Sequence, residues 1–323
     1  MKAVRIHKTG GPEVLTYEDA PQPTPGPHDA VIRIEAIGVN FIDVYFRSGV
    51  YKVPAFPYTP GMEAAGTVFD VGANVNGLAK GDRVAYAMNA GAYAEYAVVP
   101  VWKLVKLPHA VDFKQGAATM LQGMTAHYLA YSTFPLKSGQ TALVHAGAGG
   151  VGLLLTQIAR NIGATVITTV GSEEKAELSR QAGANHVILY SKQEFDKEVK
   201  RITDGKGVEV VYDSVGVNTF ERSLNCLKPR GYLVLFGQSS GVVPPIDPGI
   251  LSAKGSLFLT RPSLGNYAAT KDEVNWRAGD LFQWIAQGNL KLKIDHVFPL
   301  ADAAKAQTEL EGRRTSGKVL LIP

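Results

Sequence analysis

The residues best placed to do chemistry are Gly147-Ala148-Gly149-Gly150-Val151-Gly152, which satisfy G-x-G-x-x-G. The run Thr141 to Ala146 feeds them; it is short, apolar and suited to a buried parallel strand. Behind them Val151, Leu154, Leu155, Ile158 and Ile162 recur at helical spacing, and Gly163 stops the helix. A second β-branched run, Thr165 to Val170, completes a strand–helix–strand unit. In such a unit each glycine has its own use. Gly147 allows a tight turn, Gly149 leaves bare backbone for a diphosphate, and Gly152 lets helix and strand approach closely. The free N–H groups and positive dipole end of the helix then hold the anion.

The end of the second strand bears on the choice of dinucleotide. An NAD site usually carries Asp or Glu there, on the ribose hydroxyls. Here the chain reads Gly171-Ser172-Glu173-Glu174-Lys175. Ser172 and Lys175 suit a 2′-phosphate, so the expected cofactor is NADPH rather than NADH. Two readings pull the other way. Ser172 can be only a helix N-cap beside a solvated Lys175, and Glu173 or Glu174 could reach a ribose.

These residues need a scaffold, and the pattern supplies two. Residues 1–122 read mainly as short strands punctuated by Gly and Pro, near 1–6, 15–18, 30–37, 65–71, 83–87 and 92–99, as in a small barrel or sandwich. Helical patterns at 113–120 and 124–131 then carry the chain onward. From 123 to about 260 strand and helix alternate, with strands near 141–146, 165–170, 186–190, 208–212, 232–236 and 256–260. That rhythm predicts an α/β fold with a doubly wound parallel sheet. The tail, with a helix over 271–288, another over 301–311 and a strand at 316–322, lacks the alternation and is expected to rejoin the first domain. The predicted division is 1–122 with 262–323, and 123–261.

Composition narrows the classes. With 46% hydrophobic and 19% charged residues, the chain can build a sizeable core. A net charge of +4, with no basic run, argues against nucleic acid as a partner. The one cysteine, Cys226, admits no internal disulfide and fits a cytoplasmic setting. No signal-peptide pattern and no membrane-spanning apolar run is evident.

Several further motifs, taken in order, carry a resemblance. They are Asn40-Phe41-Ile42-Asp43, Pro60-Gly61-Met62-Glu63-Ala64-Ala65-Gly66, Gly81-Asp82-Arg83-Val84, Ala146 to Gly152, Tyr212-Asp213-Ser214-Val215-Gly216 and Gly317-Lys318. Together they resemble the medium-chain dehydrogenase/reductase superfamily, and within it the zinc-free, ζ-crystallin-like quinone oxidoreductases. The resemblance implies a Rossmann domain inserted into a GroES-like β-rich catalytic domain, with a cleft between. Zinc-dependent members carry Cys where this chain has Asn40 and His where it has Met62, followed by a four-cysteine lobe. Here Val84 to Val98 contains no cysteine. An amide and a thioether do not make a catalytic zinc site, so no metal is expected.

By the same resemblance Asn40, Tyr45 and Tyr51 lie near the nicotinamide and the substrate oxygen. Asparagine can donate to a carbonyl, and tyrosine can donate and stack on a planar ring. Asp43 could order its loop or relay a proton. Thr125 would face the nicotinamide half, and Gly149, Gly150, Val151 and Gly152 the diphosphate. Gly171, Ser172, Lys175 and Tyr190 would surround the 2′-phosphate. Ser214, Phe236, Gly237 and Ser239 follow later strand ends, and Lys318 could reach the cofactor from the other domain. The implied activity is NADPH-dependent reduction of a quinone. The alternatives are reduction of an enone or enal carbon–carbon double bond, or a non-catalytic, ζ-crystallin-like NADPH-binding role. Family members commonly dimerise through Rossmann edge strands, for which Ser256 to Arg261 is the candidate here.

Overall fold

A computed structural model describes all residues, 1–323. The chain opens with β1 (Lys2–Arg5) and β2 (Thr16–Asp19), which pair antiparallel. Next come β3 (Asp29–Val39), α1 (Phe41–Ser48), β4 (Glu63–Val71), β5 (Arg83–Ala87), β6 (Tyr96–Pro100) and β7 (Val105–Lys106). Helix α2 (Phe113–Tyr128) runs through a π turn (Leu129–Thr133) toward β8 (Thr141–Val144) and α3 (Gly150–Ile162). There follow β9 (Thr165–Val170), α4 (Glu173–Gln181), β10 (His186–Leu189), α5 (Phe195–Ile202), β11 (Val208–Asp213), α6 (Phe220–Cys226) and β12 (Leu227–Leu235). The chain ends with α7 (Gly249–Ala253), β13 (Phe258–Thr260), α8 (Leu264–Tyr267), α9 (Lys271–Ala286), β14 (Ile294–Pro299), α10 (Ala303–Glu311) and β15 (Lys318–Ile322).

Two units result, Met1–Met124 with Ala268–Pro323, and Thr125–Tyr267. The first holds a sheet ordered β14-β15-β3-β4-β5-β7, with β6 also on β3. Strand β3 spends its first half on β6 and its end on β15. Register shifts at Val31/Ile32 and Ile34/Ala36 mark where it bends between the two. That bend closes the sheet over a core that includes Ile32, Ile34, Val68, Tyr86, Tyr93 and Leu321.

The second unit is a six-stranded sheet, order β10-β9-β8-β11-β12-β13, parallel at every pairing. Order reverses between β8 and β11, the kind of switch point at which open α/β sheets bind ligands. Leu143, Ile167, Ile188, Val211 and Leu233 fill its core with Phe195, Val199 and Leu224 from the covering helices. Burial on both faces explains why these strands read as continuous apolar runs.

Several local expectations differ, among them the strand expected at 92–99, which begins at Tyr96. The segments 113–120 and 124–131 form one helix, because Gly123 does not break it; a Cβ there would sit 3.0 Å from Leu281 Cδ1, so the glycine makes room for that side chain. Helix α1 lies outside the expected elements; it starts after Asn40 and ends at Gly49, whose φ is +84°. Strand β12 begins at Leu227, five residues before the expected 232. No helix is long and apolar enough to cross a membrane.

Candidate active site

Within the parallel-sheet unit the chain leaves β8 through His145 and Ala146 and enters the glycine turn. The left-handed step expected at Gly147 falls one residue earlier, on Ala146, with φ +52°. Gly147 is needed for space instead: a Cβ would lie 2.6 Å from Thr168 Cβ and 2.9 Å from Ser179 Oγ. The turn is closed by Gly149 N–H on the Ala146 carbonyl at 2.8 Å and by Gly147 N–H on the Thr169 carbonyl at 3.0 Å. A Cβ on Gly152 would meet the Ala146 carbonyl oxygen at 2.2 Å, which is the close helix–strand approach its glycine permits. At Gly149 a Cβ would meet only Ala146, at 3.2 Å or more, so the protein leaves that backbone open. Gly149 caps α3, and Gly150, Val151 and Gly152 form its first turn, where N–H groups have no carbonyl of the helix to bond. Bare backbone, unpaired donors and a helix dipole together fit a diphosphate.

The other expected cofactor residues of this unit gather at the same carboxyl edge. Ser172 caps α4 by accepting from Lys175 N–H at 3.3 Å, so the capping role weighed above is real, and Lys175 sits in that helix's first turn. Tyr190, half-exposed, follows β10; its hydroxyl would stand 2.6 Å from a Cβ on Gly171, so the missing side chain admits the ring. Beyond β11 and β12 the turns interlock: Phe236 N–H bonds the Asp213 carbonyl at 2.8 Å, and Ser239 N–H the Ser214 carbonyl at 3.1 Å. Gly237 packs on Ser214, whose oxygen would be 2.6 Å from a Cβ. Thr125 is buried on α2.

The first unit holds a buried polar chain. Asn40 lies at the end of β3, 3% exposed. Its Nδ2 donates to the Gly38 carbonyl at 3.1 Å and to Glu63 Oε2 at 2.8 Å, and its Oδ1 accepts from Lys318 Nζ at 2.9 Å. Lys318 also pairs with Glu63, whose other oxygen accepts from Leu121 N–H. Gly38 is required here, since a Cβ would be 2.2 Å from Glu63 Oε2. Asn40 N–H donates to Asp43 Oδ2 at 2.9 Å, and Tyr93 donates to the same oxygen at 3.2 Å. Gln307 then joins Tyr93 to Arg47, and Arg47 reaches Glu311 at 2.9 Å. Asp43 Oδ1 has no partner. Burial raises the Asp43 carboxyl to about 7, against the Asn40 N–H, Lys318 and Tyr93, which favour its anion.

Asn40 and Lys318 are therefore in contact, although they are far apart in sequence. Tyr45 and Tyr51 meet each other instead, edge to face at 5.3 Å, and Tyr51 N–H bonds the Tyr45 carbonyl at 2.9 Å. Two residues that organise these sites, Glu63 and His145, are not among the expected site residues. The signal was present: each is a titratable residue inside an apolar run, MEAAGTV and TALVHA. No group of three His, Cys, Asp or Glu side chains is arranged to hold a metal ion.

Comparison with known proteins gives two family matches. Residues 26–109 match the alcohol dehydrogenase GroES-like domain, and residues 150–270 match the zinc-binding dehydrogenase family. A quinone oxidoreductase of Pseudomonas aeruginosa is 49% identical over 323 residues, covering 100% of this chain and 99% of the relative. A 2-haloacrylate reductase of Burkholderia is 42% identical, covering 99% of this chain and 98% of the relative. Among solved structures, an Escherichia coli quinone oxidoreductase complexed with NADPH is 44% identical with a TM-score of 0.98, covering 100% of both chains.

Proposed function

The chain belongs to the quinone oxidoreductases of the medium-chain dehydrogenase/reductase superfamily, and from that membership we propose that it is an NADPH-dependent, metal-independent quinone reductase. The observation that carries the reading is the turn at Ala146–Gly152, where open backbone at Gly149 meets the N-terminus of α3 at the sheet's switch point. The Escherichia coli relative crystallised with NADPH supports the same cofactor here. Bound there, the nicotinamide would supply the hydride.

The chain's own residues bind, orient and polarise. Gly149, Gly150, Val151 and Gly152 would hold the diphosphate, and Gly171, Ser172, Lys175 and Tyr190 the 2′-phosphate. Thr125, Ser214, Phe236, Gly237 and Ser239 would line the rest of the dinucleotide. Tyr45 and Tyr51, both partly exposed and in edge contact, offer an aromatic platform and hydroxyl donors for a planar acceptor. Asn40 has both amide hydrogens engaged inside the protein, so its contribution is to anchor the start of α1, which carries Tyr45, through its backbone N–H on Asp43. Lys318 commits two of its three ammonium hydrogens to Asn40 and Glu63 inside the first unit.

Reduction of an activated carbon–carbon double bond is the second reading, favoured by the 2-haloacrylate reductase relative. Steady-state NADPH oxidation with a quinone panel, an enal panel and a chelator decides. Turnover of quinones, unaffected by chelation, supports the proposal. Turnover of enals alone moves the chain to the second reading, and tight NADPH binding with no acceptor reduced moves it to a non-catalytic role.

We also propose a homodimer joined along β13 and an intracellular, cytoplasmic setting. Phe258 on that strand is 49% exposed and stacks on Tyr232 at 4.5 Å, leaving an apolar edge to be covered. The single buried thiol, Cys226, suits a reducing compartment. Sedimentation at micromolar protein tests the dimer; a stable monomer refutes it.

A further inference from the structure

We propose that His145, Thr169, Ser223 and Asp213 form a positioning network that holds the diphosphate turn in its binding shape, an inference that rests on the NADPH reading above. His145 sits between the end of β8 and the left-handed Ala146 and is 1% exposed. Nδ1 lies 2.8 Å from Thr169 Oγ1 and Nε2 lies 3.0 Å from Ser223 Oγ. Ser223 donates its one proton to Asp213 Oδ2 at 3.0 Å. Ser223 must then accept from Nε2–H, which leaves Nδ1 of a neutral imidazole to accept from Thr169. Burial lowers the His145 pKa and keeps the ring neutral, against the attraction of Asp213. The donations therefore run one way, Thr169 to His145 to Ser223 to the Asp213 carboxylate. Phe195 packs edge-on against the imidazole at 4.8 Å and closes the network to solvent.

Thr169 and Asp213 also fix turns that the cofactor reading uses. Thr169 accepts Gly147 N–H on its own carbonyl, so its residue holds the glycine turn twice, once by backbone and once through His145. It lies one residue before the end of β9, next to Gly171 and Ser172. Asp213 Oδ1 accepts Val215 N–H at 2.8 Å, Gly216 N–H at 3.1 Å and Thr219 Oγ1 at 2.9 Å, which sets the turn carrying Ser214. One buried chain thus ties the carboxyl ends of β8, β9 and β11 together, the three strands around the switch point. Ala146 is held in a conformation that an isolated alanine disfavours, so the turn needs such external restraint. None of the four is expected to touch the cofactor; they act through the turn.

The test uses Thr169→Val, which keeps shape and removes the hydroxyl, Thr169→Ser, which keeps the hydroxyl, and Ser223→Ala. Val199→Ala, in the same core but outside the network, controls for general loosening. NADPH affinity of the purified protein is measured by calorimetry, with Tm and the quinone KM alongside. Thr169→Val and Ser223→Ala are expected to weaken NADPH roughly tenfold with the quinone KM unchanged, as loss of a buried hydrogen bond allows. Thr169→Ser should stay within about twofold of the parent, and Val199→Ala should lower Tm without that loss of affinity. Unchanged affinity in the first two, failure of the serine to rescue, or equal weakening in Val199→Ala overturns the network's role. Failure of the parent protein to bind NADPH at all would instead overturn the cofactor reading, and this inference with it.

Discussion

The ammonium of Lys318 and the carboxylate of Glu63 form an ion pair sealed inside the first unit, with side chains 3% and 0% exposed. A pair so placed is costly to bury and more costly to break. Lys318→Met should therefore destabilise the protein by about 3–5 kcal/mol, because Glu63 is left as an unpaired buried charge. The double variant Lys318→Met with Glu63→Gln should regain much of that loss. Urea unfolding of the parent, the single variant and the double variant checks both statements; a double variant as weak as the single would show that packing, not charge, is at stake.

Gly149 and Gly152 should separate binding from folding. A Cβ on Gly149 would meet only Ala146, with the carbonyl oxygen at 3.2 Å, a contact that a shift of a few tenths of an ångström relieves, so Gly149→Ala should lose less Tm than Gly152→Ala yet lose most NADPH affinity. Gly152→Ala places its Cβ 2.2 Å from a backbone oxygen and should lower Tm by several degrees, since overpacking of this kind costs about 1–3 kcal/mol. Thermal melts and NADPH titration of the two variants measure this contrast.

Lys175→Glu should discriminate between the two nicotinamide cofactors. A carboxylate in the first turn of α4 would repel a 2′-phosphate, so NADPH should weaken on the order of tenfold while NADH changes little. Paired dissociation constants at fixed ionic strength give the answer. Equal losses for both would place Lys175 away from the phosphate.

Asp43 should give the stability a pH signature. The carboxyl loses its proton near 3.8 when unfolded and near 7 when folded. Between those values the folded state holds the extra proton, so this contribution favours folding fully below the lower value and is lost as pH rises through the upper. Relative to Asp43→Asn, the parent should lose stability from about pH 4 to about pH 7, by at most about 1.4 kcal/mol per pH unit, and then level off. Denaturant unfolding of both proteins across that range tests the slope; a flat difference would mean that the buried carboxylate stays charged throughout.

Much of the second unit was legible because its sequence switches sharply between two periods. TALVHA and TVITTV read as strands, the residues between as one amphipathic helix, and the observed β8, α3 and β9 follow them within two residues. Helix α1 was hidden for the opposite reason. FIDVYFRS mixes β-branched and aromatic residues that mask the local caps at Asn40–Asp43 and Gly49, and tertiary bonds from Asp43 and Arg47 to Tyr93, Gln307 and Glu311 add to what holds it helical. The Glu63–Lys318 pair could not be read either, since its members stand 255 residues apart. Sequence alone marks such a charge as anomalous in its run without naming its partner. Gly147 teaches a narrower lesson: a glycine in a turn motif need not be the residue with the unusual backbone, and here the neighbouring alanine has it.

Helix α1 divides labour around its axis. Asp43 and Arg47, one helical turn apart, moor it to the rest of the unit, whereas Phe41 and Tyr45 stand on another side, with Tyr45 against Tyr51. Mooring and aromatic surface are thus carried by separate positions of a single element. Exchange of the aromatic residues would therefore leave the bonds of Asp43 and Arg47, and with them the placement of the helix, intact.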